Sequence, residues 1–380
     1  MSVQLLDKGL GWEAVVLDDL EEAALGKVVD FLNGFIPAGA DPVWSVDSLK
    51  WKLGESNPAG RGFLTCAVSE GKVVGVVSAV RKRLWIKGRE VHGAEVGDTY
   101  THPDFVRRRP ANGEPPDFLK HSIFGRLATE TRIRAMNAGV RVIYGTPNAN
   151  ARPGWEKRLG YRAHPLIDNR SFIRPTAQGL VSRRGWGTAA AFSLGERIVE
   201  PLLQTIWKSV RRFGRYSVEP MTQADGELDQ LWDCLKDQHP FSLVRDRAYF
   251  QHRFFESPLG IYQLFRISKN RRLEGVMAMR VFSTPWGKRY CCLADWLVDE
   301  SNALLFPILA AHGVREHRRS EIDGFYLWCG NHRNLRAALR GIGFFRSSPS
   351  PVIFYQNEEG KELVDEISDL DFTLACSDNV

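Results

Sequence analysis

The sequence predicts an α/β chain of two similar α+β units in tandem, each on a mixed sheet, joined by an amphipathic helix. Its 380 residues are enough for two domains. Residues 66–77 and 266–277 both have the pattern of a strand, a turn and a second strand, because β-branched residues flank a short polar turn. Both segments carry a glycine nine positions after their start, at Gly75 and Gly275. This similarity indicates a duplication.

A second pair of segments supports the duplication. In each, an apolar strand is followed by an asparagine, a short helix and a glycine-aromatic pair, and the interval is 12 residues in both cases, from Asn148 to Gly160 and from Asn331 to Gly343. The interval between the two landmarks is 17 residues longer in the first unit than in the second. The proline-rich stretch 109–121 accounts for the excess, and we interpret it as an inserted loop.

Hydrophobic periodicity and turn residues predict the elements of both units. In the first unit, they predict a helix, a three-stranded meander, a helix and a strand, at 20–32, 62–69, 72–84, 88–101, 121–138 and 140–146, followed by a short helix and closing strands. In the second unit, they predict two helices, three strands, a helix, a strand and a helix, at 224–235, 246–255, 261–268, 272–284, 288–298, 302–318, 324–329 and 332–341.

The predicted boundaries are 1–177 for the first domain, 178–215 for a linker and 216–357 for the second domain. A tail of acidic character, helical or frayed, follows at 358–380. Within the linker, apolar residues recur at helical spacing from 192 to 210, and the helix ends in the basic sequence KSVRRFGR. Such an end is typical of a docked helix with solvated charges, the interpretation that we favour, but would also suit an anionic membrane surface.

Composition and cysteine usage restrict the class of protein. The chain is 43% hydrophobic and 25% charged, as folded globular proteins are, and its net charge of +6 is too small to indicate a nucleic-acid partner. Its six cysteines form no CxxC pair, which predicts neither a zinc site nor a disulfide framework but buried thiols in a reducing compartment. The acidic N-terminus lacks the pattern of a secretion signal, and the longest uncharged apolar stretch, 301–314, is too short to span a bilayer. We therefore expect a cytoplasmic protein.

Three segments carry a family resemblance. They are VGDTYTHPDF at 96–105, SIFGRLATET at 122–131, and YGTPNAN at 144–150 with the later LGY at 159–161. In this order, and on a duplicated scaffold, they resemble the GNAT superfamily of N-acyltransferases in tandem. The resemblance implies an acetyl-CoA or other acyl-CoA co-substrate, whose pyrophosphate lies on the turn from the fourth strand into a helix. No metal is implied.

The matched positions are the candidate cofactor-binding residues. They are Thr101, Arg107, Arg108, Arg109, Ser122, Ile123, Phe124, Gly125 and Asn148. Backbone amides at a helix N-terminus bind anions, and arginines assist. Other interpretations stay open: the arginines could be a solvated charge run, Gly125 could serve packing, and Asn148 could cap the next helix. The sequence departs from the family at Ser122 and Phe124, which stand where small residues are usual.

Attack of an amine on a thioester needs a proton acceptor and a donor to the oxyanion. The candidates are Glu95, Asp98 and Tyr100 on the predicted strand 88–101, which corresponds to the fourth strand of the family's fold. Strict alternation places the two carboxylates on opposite faces, but Gly93 and Gly97 favour a bulge that would change the phase. A hydrogen-bonded structural role is the alternative for both carboxylates. Many family members have a tyrosine acid four residues before the closing glycine, and here that position is Glu156.

The second unit is predicted to lack a cofactor site. Its corresponding turn, WLVDESNALLF at 296–306, has no glycine or arginine and carries Asp299 and Glu300, which would repel a pyrophosphate. Asp295, Trp296 and the aromatic-basic stretch 249–255 line an acceptor cleft in one interpretation and belong to the core in the favoured one. Trp328 is a further residue of this set.

The leading functional prediction is an acyl-CoA-dependent N-acyltransferase, most simply an N-acetyltransferase, acting on a primary amine of a small molecule or amino sugar. One alternative is acyl or aminoacyl transfer from a carrier protein or tRNA on the same fold. Another is a non-catalytic binding or scaffold protein. No other nucleic-acid partner is expected, and the oligomeric state stays open. The insertion discriminates between these hypotheses, because it is either a lid over the phosphates or a plug of the groove.

Overall fold

The computed structural model contains two compact units. The first is built from the described residues between 11 and 164 together with 351–365, and the second from 168–350 and 371–377. The structure describes residues 11–17, 20–36, 43–106, 117–164, 168–184, 201–202, 204–284, 286–317, 320–330, 333–365 and 371–377.

The first unit is a mixed sheet with helices on both faces. Its strands are β1 (Glu13–Val16), β2 (Phe63–Ser69), β3 (Lys72–Ile86), β4 (Arg89–Thr101), β5 (Val142–Gly145), β6 (Tyr161–Ala163) and β15 (Ile353–Tyr355). They are arranged in the order β1-β2-β3-β4-β5-β15-β6, antiparallel except for the pair β4–β5. The predicted strands at 62–69, 72–84, 88–101 and 140–146 are confirmed within a few residues as β2, β3, β4 and β5.

Two helices cover one face of this sheet and one long helix covers the other. The helices of the unit are α1 (Glu22–Asn33), α2 (Val46–Leu53), α3 (Phe118–His121), α4 (Ile123–Asn137), α5 (Arg152–Arg158) and α12 (Glu358–Val364). Gly75 allows α4 to approach β3, because a Cβ there would lie 2.3 Å from the Ile123 side chain. The landmark Gly275 serves a similar purpose, since its Cβ would lie 2.7 Å from Val298. The repeated glycines therefore mark close packing.

The second unit has the same plan. Its strands are β7 (Arg170–Pro175), β8 (Tyr216–Met221), β9 (Phe241–Leu243), β10 (Gln263–Lys269), β11 (Arg272–Ser283), β12 (Arg289–Val298), β13 (Gly324–Cys329) and β14 (Phe345–Pro349). The sheet order is β14-β7-β13-β12-β11-β10-β8, and β9 is not part of this sheet. Its helices are α6 (Ala177–Arg184), α7 (204–213), α8 (Gly226–Leu235), α9 (Arg247–Phe250, continued by a wider turn over Gln251–Phe255), α10 (Leu305–Glu316) and α11 (Arg333–Gly341).

The units exchange strands. β7 follows the first unit in sequence but pairs with β13 and β14 of the second sheet, and β15 follows the second unit but pairs with β5 and β6 of the first. The segments that the sequence places at the end of each half therefore join the sheet of the other unit. The predicted domain boundaries, 1–177 for the first domain and 216–357 for the second, stay predictions.

The linker and the tail are partly described. Helix covers α6 and 204–213, whereas residues 185–200 of the predicted linker lie outside the described residues. The tail is helical over α12, and residues 371–377 are buried in the second unit. In the described part of the chain, no helix is long and apolar enough to cross a membrane.

All six cysteines are free, and five are buried as predicted. Burial raises the pKa of Cys66, Cys292, Cys329 and Cys376 to about 12, so these thiols stay protonated and unreactive at neutral pH. The prediction is wrong for Cys234, which is exposed.

Candidate active site

A bulge near the end of β4 organises the candidate site. Ser78 lies opposite Gly97 and Val76 lies opposite Tyr100, so β4 carries one residue more than β3 in this interval. The predicted bulge is therefore present. Within it, Asp98 adopts a left-handed backbone with φ of 43°. Because of the extra residue, Val96 faces the α4 core whereas Tyr100 packs with the α1–α2 core.

The Asp98 carboxylate is buried and accepts three hydrogen bonds. Lys52 Nζ donates to both of its oxygens at 3.1 and 2.9 Å, and Ser78 Oγ donates to Oδ2 at 2.6 Å. The Lys52 and Asp98 side chains are 2% and 1% exposed. The Lys52 ammonium also lies 4.9 Å from the centre of the Trp44 ring. The left-handed residue of the bulge is therefore tied by its side chain to α2 and to β3.

Sequence reasoning missed Lys52 because it missed α2, which carries that residue. A signal was available in the repeat. Glu55 and Ser56 follow α2 just as Glu256 and Ser257 follow the predicted helix at 246–255. The second unit therefore contained the information needed to place a helix before Glu55.

The other two catalytic candidates lie on the same face as Asp98. Glu95 is 2% exposed and its Oε2 lies 3.7 Å from Lys82 Nζ. Tyr100 is half-buried, and its ring stacks on Phe35 at 5.2 Å between ring centres. Burial raises the pKa of Tyr100, and the Asp98 charge raises it further, against a smaller opposite effect of Lys52. Its hydroxyl is therefore a neutral donor at physiological pH.

The parallel strands β4 and β5 pair only over a short interval. The pairing runs from Gly93 opposite Val142 to Val96 opposite Gly145, and β4 then continues to Thr101 along β3. The divergence therefore begins next to the bulge, at the carboxyl end of the parallel pair. Thr101 lies at this end of β4, as predicted.

Asn148 lies in the turn between β5 and α5. Its side-chain oxygen accepts hydrogen bonds from the amides of Asn150 at 3.0 Å and Ala151 at 2.9 Å. The Asn148 side chain therefore closes the turn that precedes α5, whereas the N-cap of that helix is Ala151, which makes no side-chain capping bond. Any contact of Asn148 with a cofactor stays a prediction.

The first turn of α4 is partly occupied by the chain itself. Ser122 is the N-cap, and its Oγ accepts from the Gly125 amide at 3.3 Å. The Ser122 amide donates to the Phe118 carbonyl at 3.2 Å, because α3 packs directly against this turn. Of the four predicted amide donors, those of Ile123 and Phe124 form no hydrogen bond to any described residue.

Aromatic packing explains the departure at Phe124. Its ring contacts Phe118 and Trp155, with ring centres 5.9 and 5.0 Å apart. A Cβ at Gly154 would lie 2.6 Å from the Phe124 ring, so α5 is adapted to this large side chain. Phe124 therefore joins α4 to α5.

Two further predicted features can be placed only in part. Arg107, Arg108 and Arg109 lie outside the described residues, as does 110–116 of the insertion. Glu156, at the family's tyrosine position, accepts from Arg152 Nε at 2.8 Å and therefore supports the helix. In the described residues, no group of three or more His, Cys, Asp or Glu side chains could hold a metal ion.

The corresponding turn of the second unit is unsuited to a phosphate. Burial acts to raise the pKa of Asp299, but hydrogen bonds from Ser301 and Gln238 hold it below its usual range, so the carboxylate stays ionised. Asp299 accepts from the Ser301 amide at 2.9 Å and from the Gln238 side chain at 3.1 Å. A second phosphate-binding turn is therefore not expected here.

The tail segment 371–377 packs where β12 and β13 of the second sheet diverge. Their parallel pairing ends at Cys292 opposite Tyr326, and beyond it Phe372 stacks on Trp328 with ring centres 6.3 Å apart. Asp295 is completely buried. The cleft-lining interpretation is therefore wrong for Asp295, which belongs to the core.

We expect Gly125→Ala to displace α3. The new Cβ would lie 2.2 Å from the Phe118 carbonyl oxygen, a backbone atom that can move only with the helix. We expect a loss of about 1–3 kcal/mol in the free energy of unfolding and faster amide exchange at 118–121. Gly26→Ala in α1 is the control, because no atom lies within 4 Å of its added Cβ. Equal stability of the two variants would contradict this packing.

No protein-family model matches the chain, and no curated protein matches its sequence. Its structure, however, is similar to solved structures. Saccharomyces cerevisiae N-myristoyltransferase with bound myristoyl-CoA is 13% identical, with a TM-score of 0.61 over 92% of this chain and 80% of that one. A GCN5-related N-acetyltransferase from Anabaena variabilis is 12% identical, with a TM-score of 0.55 over 90% and 72%.

A third similar structure is an Enterococcus faecalis protein described as a probable N-acyltransferase. It is 10% identical, with a TM-score of 0.55 over 90% of this chain and 72% of that one. At such identities the likeness establishes the fold. The chain therefore has the fold predicted from its sequence, two GNAT-like α/β units in tandem.

Proposed function

We propose that the chain is an acyl-CoA-dependent N-acyltransferase whose active site lies in the first unit. The observation that carries this proposal is the coincidence of three features at the end of β4. These are the bulge at Asp98, the divergence of β4 from β5 after Val96, and the position of Tyr100. The bulge places Tyr100 on the face of the sheet that α1 and α2 cover. The similarity to a structure with bound myristoyl-CoA supports an acyl-CoA as co-substrate.

In the proposed reaction, a neutral primary amine attacks the thioester carbonyl. A C–N bond forms and the C–S bond breaks, while the amine proton passes to a carboxylate and from there to the departing sulfur. Glu95 is the proposed acceptor, through water, because Asp98 already accepts hydrogen bonds from Lys52 and Ser78. Tyr100 is proposed to donate to the oxyanion. Asp98 then acts as a positioning residue that holds the bulge.

Acyl-CoA binding is proposed for the turn between β4 and α4. The free amides of the first turn and the helix dipole favour a pyrophosphate, and Arg107, Arg108 and Arg109 are the proposed cationic partners. Thr101 and the turn residues Ser122, Ile123, Phe124 and Gly125 complete the proposed site. The acceptor is proposed to be a small molecule or amino sugar with a primary amine.

One observation favours a non-catalytic binding protein as the second candidate. Because α3 packs on the first turn of α4, the amides of Ser122 and Gly125 are already used. A protein that had lost the cofactor could retain this packing. Transfer from a carrier protein or tRNA would likewise not need a free coenzyme A site.

Calorimetric titration with acetyl-CoA and with myristoyl-CoA tests the proposal. We expect micromolar binding of at least one of them, and a loss of at least about tenfold in the triple variant Arg107→Ala, Arg108→Ala, Arg109→Ala, because charge-assisted contacts to phosphate are removed. A control is Arg271→Ala with Arg272→Ala, which removes two exposed arginines where β10 turns into β11 in the second unit. No binding of either thioester would reject the enzyme proposal in favour of the second candidate or a carrier-dependent reaction.

A further inference from the structure

A pocket lies between helices α7 and α10 of the second unit, and its volume is about 130 Å³. Lining residues recur every three or four positions on both helices, between Gln204 and Arg211 on α7 and between Ile308 and Arg315 on α10. Each set therefore comes from one face of its helix. A single water needs only about 10–15 Å³ of such a volume, so the pocket has room for a group of several non-hydrogen atoms.

One wall of this pocket is apolar and already packed. Ile308 and Ala311 of the lining are buried, and Trp207 packs against the core of the second unit. Because the core holds these side chains, the wall is formed before any ligand binds. A preformed wall costs little conformational entropy on binding, so it suits a compact apolar group.

Three cations line the same pocket, Lys208 and Arg211 from α7 and Arg315 from α10. Among the described residues, the one carboxylate that pairs with any of them is Glu316, whose Oε1 accepts from Arg315 Nη2 at 2.9 Å. The Arg315–Glu316 pair is neutral as a whole. Lys208 and Arg211 therefore leave two positive charges at the pocket that no described carboxylate neutralises.

Two of the cations act on one imidazole of the lining, that of His312. Its Nδ1 lies 3.2 Å from Arg315 Nη2, and its ring packs edge-on against the uncharged Phe265 of β10. Burial is the largest cause that lowers the pKa of His312 to about 4, the charges of Arg315 and Arg211 add to it, and Glu316 opposes it. His312 is therefore neutral at neutral pH. The common effect on one ring places Arg211 and Arg315 on the same side of the pocket.

A phosphate monoester matches this arrangement better than a carboxylate does. At neutral pH, such a phosphate carries nearly two negative charges and three acceptor oxygens, so it can neutralise Lys208 and Arg211 together. A carboxylate carries one charge and would leave one of these cations without a counterion. The apolar wall at Trp207 suits the organic part of an ester.

We propose that this pocket binds a phosphate monoester with a compact apolar group, its phosphate held by Lys208, Arg211 and Arg315 and its apolar part placed against Trp207. The residues of the site all belong to the second unit. The inference is therefore independent of the proposed acyl transfer in the first unit.

Calorimetric titration with phenyl phosphate tests this inference on the full chain. We expect phenyl phosphate to bind at least about tenfold more tightly than benzoate, which has the same ring but one charge, and than inorganic phosphate, which lacks the ring. Arg211→Ala should weaken the binding of phenyl phosphate at least about tenfold. The matched control is Arg212→Ala, which removes the same charge at the next position of α7 but does not line the pocket. It should bind like the wild type.

The imidazole of His312 reports whether the ligand binds in this pocket. A bound dianion favours the protonated ring, so saturating phenyl phosphate should raise the pKa of His312 from about 4 toward its ordinary range in an NMR titration. Benzoate at the same concentration should leave this pKa unchanged. The inference is overturned if phenyl phosphate does not bind, if benzoate or inorganic phosphate binds as tightly, if Arg211→Ala and Arg212→Ala have equal affinity, or if the pKa of His312 stays constant on binding.

Discussion

Replacing Arg245 by methionine should lower the free energy of unfolding of the second unit by about 3–5 kcal/mol. Arg245 is completely buried between two carboxylates. Its Nε donates to both oxygens of Asp295 at 3.0 and 3.1 Å, and its Nη1 donates to Asp371. Burial opposes the charge of Arg245, but these carboxylates hold its pKa well above the usual value. Methionine would fill much of the volume and leave both carboxylates buried without their cation.

The surrounding groups cannot replace the guanidinium. Tyr249 Oη donates to Asp295 Oδ2 at 2.6 Å and Thr373 Oγ1 donates to Oδ1 at 2.8 Å, but both are neutral. His239 Nδ1 lies 3.3 Å from Asp371 Oδ2. His239 therefore reaches only one of the two carboxylates.

Arg247→Met is the matched control for this prediction. Arg247 makes the same type of contact with Asp229 at 3.8 Å, but both side chains are about half exposed. Its replacement should change the free energy of unfolding by no more than about 0.5 kcal/mol. Denaturant unfolding followed by circular dichroism measures both variants. If Arg245→Met and Arg247→Met unfold at the same denaturant concentration, the buried network does not stabilise the tail segment 371–377 against β12.

The sequence predicted the elements of this fold well because each has a local pattern. β-Branched and other apolar residues over 72–84 and 272–284 predict the long strands, and Gly97 indicates the bulge in β4. These features depend on the backbone preference and side-chain period of neighbouring residues. The corresponding strands and the bulge are present in the structure.

The features that sequence reasoning missed depend on contacts between distant residues. Arg245 and Asp371 are 126 positions apart, and Lys52 and Asp98 are 46 apart. No local period indicates which buried cation meets which carboxylate. The exchange of β7 and β15 was missed for the same reason, since a strand pattern predicts a strand but not the sheet that it joins.

For the candidate active site, the largest expected effect is that of Tyr100→Phe. If Tyr100 donates to the oxyanion, its removal should lower kcat about 10²–10³-fold and leave acetyl-CoA affinity unchanged. Within the described residues, its hydroxyl makes no hydrogen bond, so the variant leaves no protein group without a partner. The ring stack on Phe35 should also be retained. Stability should therefore stay close to that of the wild type.

Tyr355→Phe is the control, because it removes a hydroxyl from a ring that packs under Arg132, 4.3 Å from the guanidinium to the ring centre. It should leave kcat unchanged. Equal kcat values for Tyr100→Phe and the wild type would exclude Tyr100 from the reaction without affecting the proposed acyl-CoA site.

The pH dependence separates a donor from a base at this position. The pKa of Tyr100 is raised by burial and by Asp98, so the hydroxyl keeps its proton at neutral pH and in mildly alkaline solution. A donor role therefore predicts that ionisation of Tyr100 lowers kcat only at alkaline pH, and that Tyr100→Phe removes this alkaline decrease. A base role predicts the opposite sign, with kcat rising as the tyrosinate forms. Because the neighbouring carboxylate favours the protonated form, the geometry at the β4 bulge supports the donor.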